Sequence, residues 1–205
     1  MSAFRYIGKT RRTKEDPRFV TGRGRFVADL ALPGMKHVAL VSSPHASARI
    51  VAIRTDKALA MAGVHCVLTG EELCAATEPM LVGVDAPLVH RYPLANGVVR
   101  YAGEWVVAVV ADSRALAEDA AEKVEIDYQP GQYILDPEKA IEPGAYLVHP
   151  AHGSNVLYRR KFTWGPVEED FARSQRTLSF RVHWGRSATV PIETFGVVGK
   201  LRHLD

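Results

Sequence analysis

The chain has 205 residues, of which 47% are hydrophobic and 24% are charged, and its formal net charge is +3. This composition is typical of a packed globular protein and excludes disorder as the main state. The basic residues are scattered except in residues 9–14 and 159–161. The charge pattern therefore gives no support for nucleic-acid binding.

The two cysteines, Cys66 and Cys74, are too few for a disulfide framework of the secreted type, and no C-x-x-C pair suggests zinc. The N-terminal residues lack the apolar segment of a signal peptide. No stretch approaches the roughly 20 apolar residues that a membrane-spanning helix requires. We therefore expect reduced thiols, no membrane contact and a cytoplasmic location.

The N-terminal third of the chain predicts an arm followed by two strands. Residues 1–21 are polar and basic, and we expect them to form an extended arm. Strand patterns follow over residues 36–43 and 48–53, and the turn Ser43-Pro44-His45 joins them as a hairpin or as a crossed pair. The second strand is predicted to have two faces, with Ile50 and Ala52 on one and Arg49, Val51 and Ile53 on the other.

Two short helices are predicted around a third strand. Residues 56–62 favour a helix that begins at a Thr55 or Asp56 cap and ends at Gly63. Residues 64–68 are rich in β-formers and predict a strand. Thr69 and Glu72 then have the spacing of a capping box, which indicates the start of a second helix.

The middle of the chain has a loop followed by a strand–helix–strand pattern. Residues 79–96 contain three prolines and are expected to be mainly loop. The apolar run over residues 104–111 fits a strand covered on both faces, and Asp112 or Ser113 can cap a helix after it. Residues 124–128 alternate as in another strand, which makes a βαβ-like unit but leaves open whether its strands are parallel. The helix is predicted to bury Leu116, Ala117, Ala120, Ala121 and Val124.

The C-terminal part has fewer elements. After Pro130 the composition shifts to proline, glycine and histidine, which indicates a linker. Gly165-Pro166 open a short helix with Val167 and Phe171 on one face. An alternating strand with an apolar face is predicted from Leu178, Phe180, Val182 and Trp184. The remaining 21 residues hardly supply a cover for that face, so we expect this part to need a partner chain or a continuation.

Several features are candidates for chemistry, and each has a commoner structural explanation. The run Gly22-Arg23-Gly24-Arg25 could approach a phosphate, but it lacks the P-loop and dinucleotide motifs, so a turn is favoured. His149 and His152 could bind a metal, but Pro150 lies between them and no neighbouring residue completes a ligand set. Cys66 or Cys74 could be a nucleophile, but buried structural thiols are commoner.

Two glutamates are further candidates. Glu104 heads the buried strand and could act as a base, but bonding to backbone or to an arginine such as Arg100 is favoured. Glu193, in TVPIETFG, could orient backbone at a site, whereas binding to its own turn is favoured. No residue is therefore assigned to catalysis or metal binding, and the cofactor contacts stay open.

An ordered series of segments resembles the large subunit of one enzyme family. The segments are GKTRRTKEDPRFVTGRGRFVADLALPGMKHVALVSSPHASARI, ALAMAGVHCVLTGEEL, RYAGEWVVAVVADSRALAEDAAEKVEIDY, LVHPAHGSNVLYRRKFTWGPVEEDFARS and RSATVPIETFGVV. In this order they resemble the N-terminal part of the molybdenum-bearing large subunit of the xanthine dehydrogenase and aldehyde oxidase family, in its carbon monoxide dehydrogenase-like branch. The resemblance covers nearly the whole chain.

The resemblance implies an α+β fold. Its parts would be an N-terminal arm (1–17), an α/β hammerhead domain (18–141), a linker (142–160) and the start of the molybdopterin-binding domain (161–205). It also implies that the family's catalytic glutamate and cofactor-binding segments lie beyond residue 205, so none is carried over. Glu193 resembles a different family glutamate, often followed by Pro and Arg where this sequence has Thr194 and Phe195, and Trp105 stands where members often have Pro.

Members of the family hydroxylate aldehydes, purines and N-heterocycles at a molybdenum bound to molybdopterin. The resemblance therefore implies a non-catalytic portion or split subunit of a molybdenum hydroxylase that binds no cofactor alone. Its expected partners are the molybdopterin-binding remainder of the large subunit, an iron–sulfur subunit and an FAD subunit. The alternatives are a stand-alone binding or assembly module with the hammerhead fold and a fragment without independent function.

Overall fold

The computed structural model describes residues 6–80, 89, 91–185, 190–191 and 193–200. They belong to two compact units, one of residues Gly34–Gln175 and one that combines Met1–Pro33 with Arg176–Asp205. The strands are β1 (His37–Ser42), β2 (Ala48–Arg54), β3 (Val64–Thr69), β4 (Val98–Val99), β5 (Trp105–Ala111) and β6 (Glu125–Pro130). The helices are α1 (Asp16–Val20), α2 (Asp56–Leu59), α3 (Gly70–Ala76), α4 (Arg114–Ala121), α5 (Pro137–Ala140) and α6 (Val167–Arg173), with 3-10 turns at Val27–Asp29 and Pro150–His152. The predicted α+β class is confirmed.

The strands form two antiparallel sheets within the larger unit. The first sheet has the order β1-β5-β3 and the second has the order β4-β2-β6. Since β1 and β2 lie in different sheets, the bend at Ser43-Pro44-His45 does not close a hairpin, and the hairpin alternative is wrong. β5 and β6 also lie in different sheets and pair only antiparallel with their neighbours among the described strands. The strand–helix–strand pattern is therefore not a parallel βαβ unit.

The register of β2 shifts between Ile50 and Ala52, where it pairs with β6. This bulge inserts Val51 as an extra residue, so the alternation changes phase along the strand. As a result, Ile50 and Ile53 both pack against the core cluster, and Val51 is 52% exposed. The prediction that Ile53 lies on the face opposite Ile50 is therefore wrong.

The core lies around β5 and the small-residue face of α4. Val106, Val107 and Val109 are 0% exposed because β5 is the central strand of its sheet. The Ser113 hydroxyl accepts a hydrogen bond from the Leu116 amide and caps α4. Ala117 and Ala120 are fully buried, which confirms the predicted apolar face of this helix.

The capping box before α3 is also confirmed. The Glu72 amide donates to Thr69 Oγ1, and the Thr69 amide donates to the Glu72 carboxylate at 2.8 Å. Gly70 follows at the first position of α3, where an added Cβ would lie 1.9 Å from the Ala95 carbonyl oxygen. The helix can therefore begin here only because residue 70 has no side chain.

The residues between the second sheet and α6 are held by local hydrogen bonds. The Asn155 side chain accepts from the Val148 amide and donates to the carbonyls of Ala140 and Tyr146 at 2.8–2.9 Å. The predicted helix after Gly165-Pro166 is confirmed as α6. The boundaries at residues 141 and 160 stay predictions.

Two expectations for the smaller unit are wrong. The N-terminal segment is not wholly extended, because α1 forms where Pro17 occupies the first turn and Arg18 pairs with Glu15. Residues 178–184 are assigned to no strand. The apolar side chains of this segment are 72–85% exposed, because no described strand pairs with it and a strand needs such a partner for its backbone.

Candidate functional site

The glycine and arginine run at residues 22–25 forms a turn, as the structural explanation predicted. Gly22 has φ +67°, and the Arg23 amide donates to the Arg18 carbonyl at 2.8 Å. An added Cβ at Gly24 would lie 2.7 Å from the ring of Phe19, which itself stacks on Phe26. The glycines therefore allow the chain to reverse closely around an aromatic pair.

His149 and His152 flank the 3-10 turn at Pro150–His152, in which the His152 amide donates to the His149 carbonyl. Partial burial lowers the pKa of His149, and the positive charges of Arg100 and Arg91 lower it further. Such surroundings disfavour a bound cation. Among the described residues, no group of three or more His, Cys, Asp or Glu side chains is placed to hold a metal ion.

The two thiols are free and partly exposed, and they lie on different elements. Cys66 is on β3, where its Cα pairs with that of Val110 in the first sheet. Cys74 is on α3. The structure therefore places Cys66 among apolar strand residues.

Glu104 is part of the turn that leads into β5. Its carboxylate accepts a hydrogen bond from the Arg100 backbone amide, and its own amide donates to the Tyr101 carbonyl. The Arg100 side chain donates to the Val98 carbonyl at 3.3 Å. The preferred structural explanation, bonding of Glu104 to backbone, is thus confirmed.

Glu193 has its partner far away in sequence, and among the described residues no hydrogen bond joins its side chain to its own turn, which was the favoured prediction. Its carboxylate accepts a hydrogen bond from the Val27 amide at 2.9 Å, across 166 positions of sequence. An added Cβ at Gly196 would lie 2.7 Å from the Val27 side chain. Glu193 and Gly196 therefore both hold the segment around Val27 within the smaller unit.

Trp105 begins β5 and is 42% exposed. Its carbonyl accepts a hydrogen bond from the Ala95 amide at 2.7 Å. Trp105 therefore contributes this hydrogen bond through its backbone, and its indole ring lies partly in solvent.

A charged cluster that no sequence pattern predicted lies at one end of the first sheet. Asp112 follows β5, and its carboxylate accepts hydrogen bonds from Lys36 Nζ and from His65 Nε2, the latter at 2.8 Å. These two partners lower the pKa of Asp112 to about 2. The partners are 76 and 47 positions away in sequence, so only the strand order β1-β5-β3 could have brought them together.

A second cluster crosses the strands β2 and β6. Arg54 pairs with Glu125 and Asp127, and Lys57 pairs with Glu125. The hydrogen bonds to Lys57 and Arg54 lower the pKa of Glu125, and the bonds to Arg54 lower that of Asp127. All four side chains are largely in solvent, which makes this cluster a surface feature of the scaffold.

Two antiparallel three-stranded sheets, with α4 packed against the first of them, form a small α+β domain. Residues 21–132 match the family described as aldehyde oxidase and xanthine dehydrogenase, a/b hammerhead domain. The chain belongs to this family.

Among its relatives, the chain is 39% identical to the nicotine 6-hydroxylase large subunit of Paenarthrobacter nicotinovorans, over 93% of this chain and 24% of that protein. It is 36% identical to the carbon monoxide dehydrogenase large chain of Hydrogenophaga pseudoflava, over 90% of this chain and 24% of that protein. Among solved structures, the Cu,Mo-CO dehydrogenase in its carbon monoxide reduced state matches 68% of this chain and 17% of that chain, with 41% identity and a TM-score of 0.61.

The chain spans about a quarter of the length of these curated relatives. In the described part of the chain the helices have at most eight residues, so none of them is long and apolar enough to cross a membrane.

Proposed function

We propose that the chain serves as the non-catalytic N-terminal portion of the large subunit of a molybdenum hydroxylase. The observation that carries this proposal is the 39% identity to a hydroxylase large subunit over 93% of the chain, which nevertheless spans 24% of that subunit. Similarity that covers nearly all of this chain supports a shared structural role. The chemistry then belongs to the portion of the subunit that this chain does not contain.

Three observations on the described residues support placing the molybdenum cofactor elsewhere. These residues contain no cluster of metal-binding side chains, and both candidate glutamates are bound to backbone amides of this chain. Partial burial lowers the pKa of His149, and Arg100 and Arg91 place positive charge beside it. This charge, which repels a cation, disfavours a metal there. We therefore assign molybdopterin to the remainder of the large subunit.

In the complete complex we propose an oxidative hydroxylation of an aldehyde, a purine or an N-heterocycle. The relative named as a nicotine 6-hydroxylase supports this class, since nicotine is an N-heterocycle, whereas the relative named as a carbon monoxide dehydrogenase has a substrate outside it. The electrons would pass to an iron–sulfur subunit and an FAD subunit. A relative named as subunit gamma of a dehydrogenase complex supports such a multi-subunit assembly.

The test is to purify the chain through a tag from cells that also express its neighbouring genes, and to measure the molybdenum content and the subunit masses. We expect about one molybdenum per tagged chain, together with a larger polypeptide. The chain expressed alone is the control and should carry no molybdenum. A folded, metal-free monomer from the co-expressing cells would contradict the proposal and favour a stand-alone binding module.

A further inference from the structure

The smaller unit has no buried core. Every described residue of it is exposed except Asp16, Gly24 and Val27, which are half-buried. In the larger unit, by contrast, buried residues occur from Ser43 to Ala120. Without buried apolar area, a folded unit cannot offset the entropy that its backbone loses on ordering. The smaller unit therefore needs a surface outside itself to cover it.

The smaller unit nevertheless joins its two segments at defined contacts. The Glu193 carboxylate accepts a hydrogen bond from the Val27 amide at 2.9 Å. The rings of Phe19 and Phe26 stack beside this segment, with their centroids 5.8 Å apart. These contacts give the unit a shape that a partner can recognise.

The smaller unit is strongly basic in sequence. Met1–Pro33 and Arg176–Asp205 together contain 13 Lys and Arg against five Asp and Glu, a formal net charge of +8. Residues 34–175 contain 13 Lys and Arg against 18 Asp and Glu, a formal net charge of −5. The net charge of +3 for the whole chain therefore hides a separation of charge between the two units.

The acidic side chains described in the smaller unit are already bonded inside it. Glu15 pairs with Arg18 at 2.6 Å. The other three accept hydrogen bonds from backbone amides of the same unit, and they are Asp16, Asp29 and Glu193. Most of the positive charge is therefore left for a partner to neutralise.

Aromatic side chains lie among these cations. The Arg18 guanidinium lies 5.0 Å from the centre of the Phe19 ring. The described Phe, Tyr and Trp side chains of the unit are 42–85% exposed, and they are Tyr6, Phe19, Phe26, Phe180, Trp184 and Phe195. At about 150–250 Å² for each whole side chain, they present roughly 800 Å² to solvent. This is about the area that a standard interface takes from one partner.

The composition of this surface favours a protein partner. Ten of the 13 cations are arginines, and arginine and aromatic residues are enriched in protein interfaces, where lysine is depleted. Exposed aliphatic side chains such as Ile7, Leu178 and Val197 need an apolar cover, which a phosphate backbone does not offer. Two copies of the smaller unit would repel each other through their like charges. The complementary surface is therefore acidic and partly apolar.

We propose that the smaller unit docks on an acidic, partly apolar surface of the cofactor-bearing portion of the large subunit. This rests on the proposed function, because that portion is the three quarters of the relatives' length that the chain does not span. In those relatives one polypeptide carries both parts, so a unit without a core always has its cover present. Carboxylates of that surface pair with the arginines, and its apolar side chains cover the aromatic rings.

Charge reversal tests the electrostatic part of the docking. The complex is purified through the tag, and the Kd between the tagged chain and the molybdenum-bearing polypeptide is measured by dilution. We expect the Kd to be at least about tenfold higher in about 500 mM than in about 50 mM NaCl, because salt screens the ion pairs. Arg12→Glu combined with Arg25→Glu should raise the Kd at least about tenfold in the lower salt.

The matched control reverses two exposed arginines of the larger unit. Arg159→Glu combined with Arg160→Glu makes the same change in net charge, and both side chains are exposed. This variant should change the Kd less than about twofold. A Kd that does not depend on salt, or equal losses in both double variants, would overturn the proposal.

Carbodiimide cross-linking identifies the partner surface, because it joins a lysine amine to a carboxylate in direct contact. Lys9 and Lys14 are exposed in the smaller unit, and we expect them to be joined to Asp or Glu of the molybdenum-bearing polypeptide. The ion pair of Lys57 with Glu125 is the positive control within the chain. Cross-links of Lys9 and Lys14 only to this chain, to a second copy or to another subunit would overturn the docking.

Two further measurements on the same sample complete the test. Nucleic acid that the wild-type chain retains and the Arg12→Glu, Arg25→Glu variant loses would overturn the choice of a protein partner. The molybdenum content separates the docking from the proposed function, because its absence contradicts the proposed function. A molybdenum-bearing complex that is insensitive to salt and gives no cross-link at Lys9 or Lys14 contradicts the docking alone.

Discussion

β5 and the segment 178–184 are both rich in large apolar residues, yet they lie in opposite environments. In β5, Val107 and Val109 are 0% exposed, and β1 and β3 pair with the backbone on either side. In residues 178–184, Phe180 is 83% exposed and Val182 is 72% exposed, and no described strand pairs with the segment. An apolar segment becomes core only where neighbours satisfy its backbone and cover its side chains.

The sharpest test of this contrast places one charge in each segment. Val109→Asp buries a carboxylate without a partner, and we expect the larger unit to lose at least about 4 kcal/mol of unfolding free energy. Val182→Asp puts the same group in solvent and should change the unfolding free energy by less than about 0.5 kcal/mol. Urea unfolding followed by circular dichroism measures both, and equal losses would show that residues 178–184 are buried in the isolated chain.

A second test compares close packing with open space at two glycines. Gly70→Ala forces a methyl group against the Ala95 carbonyl, where an added Cβ lies 1.9 Å from the oxygen. Because the main chain must shift to relieve this contact, we expect a loss of about 1–3 kcal/mol. Gly185→Ala is the control, since no atom lies within 4 Å of its added Cβ. Chemical unfolding of the two variants should differ accordingly, and similar stabilities would rule out the close approach at Gly70.

Local sequence signals predicted those elements whose stability is local. The capping box of Thr69 and Glu72, the buried face of α4 and the short α6 are confirmed because their periodicity and caps lie within a few residues. The β2 bulge at Val51 was missed, since a bulge depends on the register with β6, more than 70 positions later. The predicted strand at residues 178–184 failed for the same reason, because a strand depends on a partner that the pattern does not contain.

The candidate site residues were likewise predicted correctly only where their partners are close in sequence. The preferred role of Glu104 was predicted correctly because its partner, Arg100, is four positions away. The contact of Glu193 with Val27 was not predicted, since the two residues are 166 positions apart. Likewise, nothing local relates Lys36 to Asp112, and their contact follows only from the order of the strands.

A third test compares two helix N-termini, one with a side-chain capping bond and one without. Thr69→Ala removes the hydroxyl that accepts from the Glu72 amide before α3, and we expect a loss of about 1 kcal/mol. Thr55→Ala is the matched control, because Thr55 precedes α2 without a side-chain capping bond. Thermal unfolding of the two variants should show a lower midpoint for Thr69→Ala alone. A similar drop for both variants would mean that the loss of a threonine side chain, and not the loss of the capping hydrogen bond, lowers the midpoint.

The smallest effect is expected at the solvated end of β5, where Asp112 binds Lys36 and His65. These partners lower the pKa of the Asp112 carboxyl from 3.8 to about 2 in the folded chain. Because the folded pKa is below the unfolded one, the stabilisation is fully present above about pH 4 and is lost as the pH falls toward 2. The three side chains are 41–52% exposed, so solvent screens the interaction and keeps the change in stability small.

Carbon-13 NMR titration of the carboxyl groups measures the pKa of Asp112 directly. We expect a midpoint near 2 in the wild-type chain and a higher midpoint in Lys36→Met, which keeps only the His65 partner. Asp112→Asn should abolish the dependence of the thermal midpoint on pH that this carboxyl contributes between about pH 2 and 4. A wild-type midpoint that stays at 3.8, the value without partners, would show that the cluster is not formed in solution. In that case the ends of β1, β5 and β3 would lie farther apart in solution than the paired residues at the centres of these strands.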